Sequence, residues 1–242
     1  YMSMQAYSSQ TMASYTSAIG HYCKINNYGD PTSNFLVTKV LEGAKRNTPN
    51  QINTRLPITK EKLAKLVSSL KYVTTSLYEE KLYAAMFCLS YYALLRISET
   101  TFNNGLTDHA IKFENVQISK ESLVFKLHSS KTDQKQEGTI FSLSARINAD
   151  LCPVSLVRKY LQVRPKLQGN LFININTEPV SRSQFIKVLK NAVSFCDLHP
   201  DHLSHSFRSG RATDLFQSGV LESEIMTCGR WQSKSVRSYI KL

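Results

Sequence analysis

Apolar residues recur every three or four positions over most of the chain, which is the period of an α-helix. This spacing predicts two helices near the N-terminus, over residues 8–23 and 35–46. Residues 47–57 are polar and contain two prolines, so we expect a linker there. The pattern therefore predicts a short helical segment over residues 1–46, joined by that linker to a larger domain over residues 58–242.

The larger domain begins with a helix capped by Thr59, and a strongly apolar helix over residues 77–95 should form the centre of its core. Three runs of alternating apolar residues follow, the last two separated by the polar stretch KTDQKQEG. They predict a three-stranded antiparallel sheet. Helices are predicted again after Pro153, over residues 154–163, 183–196, 203–217, 222–228 and 233–240. The predicted fold class is therefore mainly α with a small three-stranded antiparallel sheet (α+β).

Composition narrows the choice of partner. The 242 residues include 30 Lys and Arg but 18 Asp and Glu, and the resulting net charge of +12 attracts polyanions. Nucleic acid is the first choice, because binding to an acidic membrane normally needs a basic amphipathic helix or a lipid anchor, and neither is evident. A hydrophobic share of 42% is enough for a core and argues against disorder.

The remaining composition favours an intracellular protein. No apolar run reaches the roughly 20 residues of a membrane span, and the polar first ten residues do not resemble a signal peptide. The five cysteines are scattered and form no CxxC pair, which is typical of reduced thiols.

Three segments contain side chains that could act on a nucleic acid. ALLRISE places Arg96 at the end of the long apolar helix, and HSFRSGRATDLFQSG places His205 and Arg208 on one helix face. GRWQSKSVRSYI contains the single tryptophan, Trp231, followed by Tyr239. Each segment by itself also has an ordinary structural interpretation, as a cation at a helix end, a solvated basic face and a pair of packing residues.

Taken in order, with a lysine-containing hairpin between the first and the second, these segments resemble the active-site series of the tyrosine recombinases, the family that includes the phage integrases. ALLRISE resembles the first arginine box, HSFRSGRATDLFQSGV the HxxR box, and GRWQSKSVRSYI the last box, with Trp where many members have His. GRW, SKTDQ and CPVSLVRKYLQVRP are similar to recombinases of DIRS-like retrotransposons and Cryptons, which implies a nuclear location. The resemblance covers about residues 57–242, more weakly 8–46, and implies the catalytic fold of that family after a short helical core-binding segment that is part of a DNA clamp.

The resemblance implies a site-specific DNA recombinase or transposase and a role for each residue. Arg96 and Arg208 would bind the non-bridging oxygens of the phosphate. Tyr239 would attack it to form a 3′-phosphotyrosine. His205 would be the general base or a hydrogen-bond partner, and Lys131 the general acid for the leaving 5′-hydroxyl. No metal, nucleotide or other cofactor is required.

Further residues would support this chemistry. Trp231 would give its indole N–H to the phosphate or pack beneath the tyrosine helix. Glu99, three residues after the first arginine, would orient the histidine or an arginine. Arg211, Arg230 and, in the hairpin, Lys135 are candidate contacts to the DNA backbone or surface residues.

Several alternatives remain open. A type IB topoisomerase uses a similar residue set, although the tryptophan and the HxxR pair argue against it. A non-cleaving DNA-binding domain derived from a recombinase would need none of these residues. Cys196, His199, His202 and His205 follow at three-residue steps that could suit zinc, but Pro200 interrupts the helix that would carry them.

The expected partner is double-stranded DNA, on which the chain would act as a homo-oligomer, a dimer or a tetramer. Only about two predicted helices precede the linker, and three residues follow Tyr239. Family members usually have a fuller N-terminal domain and a further C-terminal helix. We therefore expect either a truncated chain or a compact branch of the family.

Overall fold

The computed structural model describes residues 7–47, 56–102, 109–128, 138–146 and 149–241. The chain divides into two compact units, Tyr1–Thr54 and Arg55–Leu242. In the described part of the smaller unit, α1 (Ser9–Ile25) begins after Ser8, whose hydroxyl accepts a hydrogen bond from the amide of Thr11. A 3₁₀ turn precedes α2 (Phe35–Asn47). Both predicted N-terminal helices are therefore present, with ends within about two residues of the prediction.

The larger unit is built around α4 (Leu77–Tyr92). Twelve of its residues are buried, and they lie on all sides, which is why its sequence has no polar face. The surrounding helices are α3 (Lys60–Val73), α6 (Pro153–Leu161), α7 (Arg182–Phe195) and α8 (Ser206–Gln217). Three of them, α3, α6 and α8, pack directly on α4, and α7 packs on α3 and also reaches α4 through the rings of Phe185 and Phe87, whose centroids are 5.3 Å apart.

The predicted end of the long apolar helix at residue 95, next to Arg96, is wrong. The helix ends at Tyr92, and Leu94 has a left-handed backbone conformation (φ 49°) that turns the chain. Arg96 then precedes α5 (Ile97–Thr100) as its N-terminal cap residue. The prediction failed because the turn is itself buried, with Leu94 2% exposed, and an apolar run does not distinguish a buried helix from a buried turn.

The predicted sheet is confirmed. Its strands are β1 (Val116–Ile118), β2 (Ser122–Leu127) and β3 (Thr139–Ser144), antiparallel and in that spatial order. Phe125 of β2 lies opposite Phe141 of β3, and their rings stack with centroids 4.7 Å apart. The first strand is shorter than the alternation suggests, because residues 113–115 form a 3₁₀ turn.

A glycine allows α8 to approach the start of the larger unit. A Cβ at Gly210 would lie 1.7 Å from the carbonyl oxygen of Ile58, so no other residue fits there. The amide of Ile58 donates to the carbonyl of Ser206 at 2.9 Å. The first turn of α8, which carries the HxxR residues, is thereby fixed against the rest of the domain.

The C-terminal segment also packs on this helix. It consists of α9 (Glu222–Gly229) and a 3₁₀ helix over Lys234–Ser238, where an α-helix over residues 233–240 was predicted. A small apolar cluster holds it, with Leu94, Ala212, Ile225, Trp231 and Val236 buried. In the described ranges, no helix is both long and apolar enough to cross a membrane. All five cysteines are free thiols.

Candidate active site

Arg96 is fixed by a carboxylate in the next turn of the chain. The backbone N–H of Arg96 donates to Glu99 Oε2 at 2.8 Å, and its guanidinium Nη1 lies 3.2 Å from Glu99 Oε1. The Arg96 side chain is 18% exposed, whereas that of Glu99 is 1% exposed. Of the two partners predicted for Glu99, a histidine or an arginine, the structure therefore places arginine beside it.

A second arginine binds the same carboxylate. Arg230 Nη1 and Nη2 donate to Glu99 Oε1 and Oε2, both at 2.9 Å, in a bidentate ion pair between residues 131 positions apart. Burial raises the pKa of Glu99, but the hydrogen bonds and charge of Arg230, with those of Arg96, outweigh it and lower the pKa below 4.5. Glu99 is therefore a buried anion at neutral pH.

Arg208 is a buried cation held mainly by neutral groups. Its terminal nitrogens donate to the carbonyl oxygens of Leu94 and Gly229, and its guanidinium lies 4.0 Å from the centroid of the Trp231 ring. Arg208 is 1% exposed, and within the described chain its Nε has no hydrogen-bond partner. Burial, together with the charges of Arg96 and Arg230, lowers the pKa of Arg208 to about 9.

Tyr239 lies against this arginine. The Arg208 guanidinium is 5.6 Å from the centroid of the Tyr239 ring, and that ring is 5.1 Å from the ring of Trp231. The carbonyl of Tyr239 accepts hydrogen bonds from the hydroxyls of Ser209 and Thr213 on α8. Its ring is half-buried. The Trp231 ring thus contacts both Tyr239 and Arg208 of the HxxR helix, and its predicted roles at the phosphate or beneath the tyrosine helix stay predictions.

The backbone at Gly229 is constrained by the same contact. A Cβ there would lie 1.8 Å from the indole ring of Trp231, so the tryptophan can fold back only over a glycine. The carbonyl of this glycine is also an acceptor for Arg208. The segment GRW thus supplies the carbonyl of Gly229 and the indole ring of Trp231, and both contact the Arg208 cation.

His205 is the N-terminal cap residue of α8, one turn before Arg208. It is half-buried and lines a cavity of about 160 Å³ with Arg182, Lys190 and His202. His202 is 2% exposed, and its Nδ1 lies 2.7 Å from the carbonyl oxygen of His199. Burial lowers the pKa of His202, which keeps that ring neutral. In the described ranges, no group of three His, Cys, Asp or Glu residues could hold a metal ion.

Two of the other predicted residues lie outside the described ranges, namely Lys131 and Lys135. Arg211 follows Arg208 by three residues on α8, and its guanidinium lies 5.3 Å from the Tyr92 ring centroid. It lines a cavity of about 500 Å³ that also contains Arg146 and Asp214. Its role as a DNA contact stays a prediction.

The site as a whole carries a positive charge that a phosphate would neutralise. Arg96 and Arg230 pair with the carboxylate of Glu99, and the charges of all three act on Arg208, so three cations and one anion leave a net charge of two. A buried cation without a counter-ion is costly, so an oxyanion is the group that such a cluster binds best. The arrangement is therefore suited to a phosphate beside a tyrosine hydroxyl.

The charge on Glu99 leads to a prediction for stability. Because the folded-state pKa is below 4.5, the ion pairs contribute fully above that pH and are lost as the pH falls through the lower folded-state value. We expect Glu99→Gln to destabilise the protein by about 3 kcal/mol at neutral pH, because it leaves two arginines without their counter-ion. Urea unfolding over a pH series should show this difference shrinking below about pH 4.

The exposed pair of Glu222 with Arg237 provides a matched control, and Glu222→Gln should cost less than about 1 kcal/mol. A Glu99→Gln effect that stays constant from neutral to acidic pH would contradict the assignment of Glu99 as a buried anion.

A mainly helical domain with a small antiparallel sheet and an arginine cluster beside a C-terminal tyrosine is the arrangement of a tyrosine recombinase catalytic domain. A sequence model of the phage integrase family matches residues 57–242. Since this match covers most of the chain, the chain belongs to the phage integrase family, the tyrosine recombinases. No curated protein sequence matches it.

Solved structures support the fold. The Tn1549 transposon integrase (aa 82–397) in complex with circular intermediate DNA is 15% identical, with a TM-score of 0.60, over 100% of this chain and 78% of that one. XerA recombinase is 14% identical, with a TM-score of 0.59, over 96% and 77%. XerH bound to difH substrate before cleavage is 16% identical, with a TM-score of 0.57. The match covers 78% of this chain and about half, 51%, of the XerH chain.

Proposed function

We propose that this chain is the catalytic part of a site-specific DNA recombinase that cleaves and rejoins strands through a 3′-phosphotyrosine at Tyr239. The observation that carries the proposal is the ion pairing of Arg96 and Arg230 with buried Glu99, whose charges act on Arg208, with the ring of Tyr239 5.6 Å from the Arg208 guanidinium. XerH and the Tn1549 integrase, whose fold this chain shares, are described bound to DNA. The net charge of +12 suits the same partner.

The first step is attack of the Tyr239 hydroxyl oxygen on a phosphodiester. The new bond joins that oxygen to phosphorus, and the bond from phosphorus to the 5′-oxygen breaks. Negative charge grows on the non-bridging oxygens during attack, and the guanidinium groups of Arg96 and Arg208 stabilise it. The two uncompensated positive charges match a transition state that is more negative than the ground-state diester.

Two proton transfers complete the step. A free phenol has a pKa of about 10, so its proton must leave during attack, and His205 at the start of α8 is the proposed acceptor. The departing 5′-oxygen needs a proton, and Lys131 is the proposed donor. Religation is the reverse reaction with a 5′-hydroxyl of another strand. One phosphodiester replaces another, so the cycle needs neither a metal nor ATP.

The rest of the chain would bind DNA without performing this chemistry. Residues 1–46, a linker at 47–57 and residues 58–242 are proposed as a partial core-binding domain, a connector and the catalytic domain. Peripheral lysines and arginines would contact backbone phosphates in a salt-dependent, sequence-independent way. Two or four copies on one DNA are proposed for strand exchange.

Trapping of covalent complexes tests the proposal. The protein is incubated with a library of nicked duplexes of varied sequence, in which the short 5′-hydroxyl fragment diffuses away after cleavage. We expect a denaturation-resistant protein–DNA band, and sequencing of the trapped DNA should give one common site. Binding in a gel shift without any covalent band would instead identify a non-cleaving domain. Relaxation of any supercoiled plasmid, without a common site, would identify a topoisomerase.

A further inference from the structure

Arg230 has a backbone conformation that residues other than glycine rarely adopt. It follows the last residue of α9 with φ 58° and ψ 42°, in the left-handed region. This conformation costs about 1 kcal/mol for a residue with a Cβ. An arginine at such a position is therefore expected to have a side-chain interaction that offsets the cost.

The side chain of Arg230 has such an interaction. Both terminal nitrogens bind Glu99, and the guanidinium lies 4.8 Å from the centroid of the Phe141 ring on β3. The Arg230 side chain is 12% exposed, and its Nε is buried. Since both terminal nitrogens already donate to a carboxylate, the geometry favours action through Glu99 over direct contact with DNA.

Glu99 binds residues from two segments that are far apart in sequence. Its Oε1 accepts from Arg230 and contacts the Arg96 guanidinium, and its Oε2 accepts from Arg230 and from the Arg96 amide. Residues next to Arg230 hold the other arginine, because the carbonyl of Gly229 accepts from Arg208. The segment over residues 229–231 thus binds Glu99, which holds Arg96, and also contacts Arg208 directly.

We propose that Arg230 is a positioning residue for DNA strand cleavage, which orients Arg96 through Glu99 and fixes the segment that leads to Tyr239 against the first arginine box. This proposal rests on the proposed function. A fork that contacts both carboxylate oxygens fixes the rotation of Glu99, which a single point contact does not. Loss of the fork leaves Arg96 attached to a carboxylate that can rotate.

The test is a double-mutant cycle on single-turnover cleavage of the trapped site, with DNA at saturating concentration. Arg230→Gly removes the side chain, and glycine adopts the left-handed conformation without strain. We expect a fall of roughly 10- to 100-fold in the cleavage rate constant, with the dissociation constant for DNA changed less than about threefold. Glu99→Gln should cause a similar fall, and Arg230→Gly with Glu99→Gln should be no slower than the worse single variant.

Arg230→Lys separates geometry from charge and serves as a second variant if Arg230→Gly does not fold. It keeps the positive charge but cannot form the fork, so we expect cleavage to remain about 10-fold below wild type. Arg237→Gly is the matched control from the same terminal segment, because its ion pair with Glu222 is exposed. It should cleave at the wild-type rate.

Three results would overturn the proposal: wild-type cleavage by Arg230→Gly, full recovery in Arg230→Lys, or single-variant losses that multiply in the double variant. The last would mean that Arg230 acts on the phosphate by itself. These failures are distinct from failure of the proposed function, in which the wild-type protein forms no covalent complex with DNA at all.

Discussion

Replacing Tyr239 with Phe is expected to abolish covalent attachment to DNA while leaving the fold and DNA binding intact. The substitution removes one oxygen, the proposed nucleophile, and keeps the ring that lies 5.1 Å from Trp231. The backbone contacts from Ser209 and Thr213 also remain, because they go to the carbonyl of residue 239. We expect the rate of covalent-complex formation to fall by more than about 1000-fold, as is usual when the nucleophile is lost.

The measurement is the denaturation-resistant band formed with the nicked site, alongside a gel shift on the same DNA. Tyr72→Phe is a matched control, because Tyr72 is 63% exposed and its ring stacks on Phe195 whether or not it carries a hydroxyl. The control should form the band at the wild-type rate. Persistence of the band in Tyr239→Phe would show that another residue is the nucleophile.

Loss of Arg208 should have the second-largest effect. Arg208→Ala removes the guanidinium that lies 4.0 Å from the centroid of the Trp231 ring and 5.6 Å from that of Tyr239. Cleavage should fall by more than about 1000-fold, because a buried charge stabilises a developing oxyanion far more than a solvated one does. DNA affinity should change less than about fivefold, since many exposed cations share the backbone contacts.

The same substitution also has a structural cost. It leaves the carbonyl oxygens of Leu94 and Gly229 buried without their donor, so we expect a loss of about 2–4 kcal/mol in stability. Arg208→Lys keeps the charge and isolates the chemical effect. A lysine cannot donate coplanar hydrogen bonds to two carbonyls and a phosphate at once, so cleavage should still fall by about 100-fold.

Arg158→Ala is the control for charge alone, because this half-buried arginine contacts only the carbonyl of Ser119 among the contacts described. It should cleave normally. An Arg208→Lys protein that folds, binds DNA and cleaves at the wild-type rate would exclude Arg208 as a specific phosphate ligand.

The sequence predicted those parts of the fold that depend on a regular period. The predominantly apolar run after Lys81 correctly indicated a helix buried on every side, and the alternation on both sides of KTDQKQEG correctly indicated an antiparallel hairpin. The spacing of His205 and Arg208 also placed both at the start of one helix. These features follow from local geometry, which a single segment of sequence contains.

The parts that the sequence did not predict depend on backbone turns and on contacts between distant segments. The left-handed conformations at Leu94 and Arg230 have no glycine to mark them. The turn at Leu94 ends the long helix before Arg96. The turn at Arg230, a candidate DNA contact, places its side chain against Glu99. An extra arginine beside the tryptophan was the one available signal, and it did not identify a partner 131 positions away.

Mapping the covalent adduct tests the central claim most directly. The protein is trapped on its DNA site, the DNA is digested with nucleases, and the protein is cleaved with trypsin. Cleavage after Arg237 and Lys241 isolates residues 238–241, SYIK, which contain a single tyrosine. Mass spectrometry should find this peptide carrying a nucleotide linked through its 3′-phosphate to Tyr239. An adduct on any other peptide, or a 5′-phosphate linkage, would contradict the account.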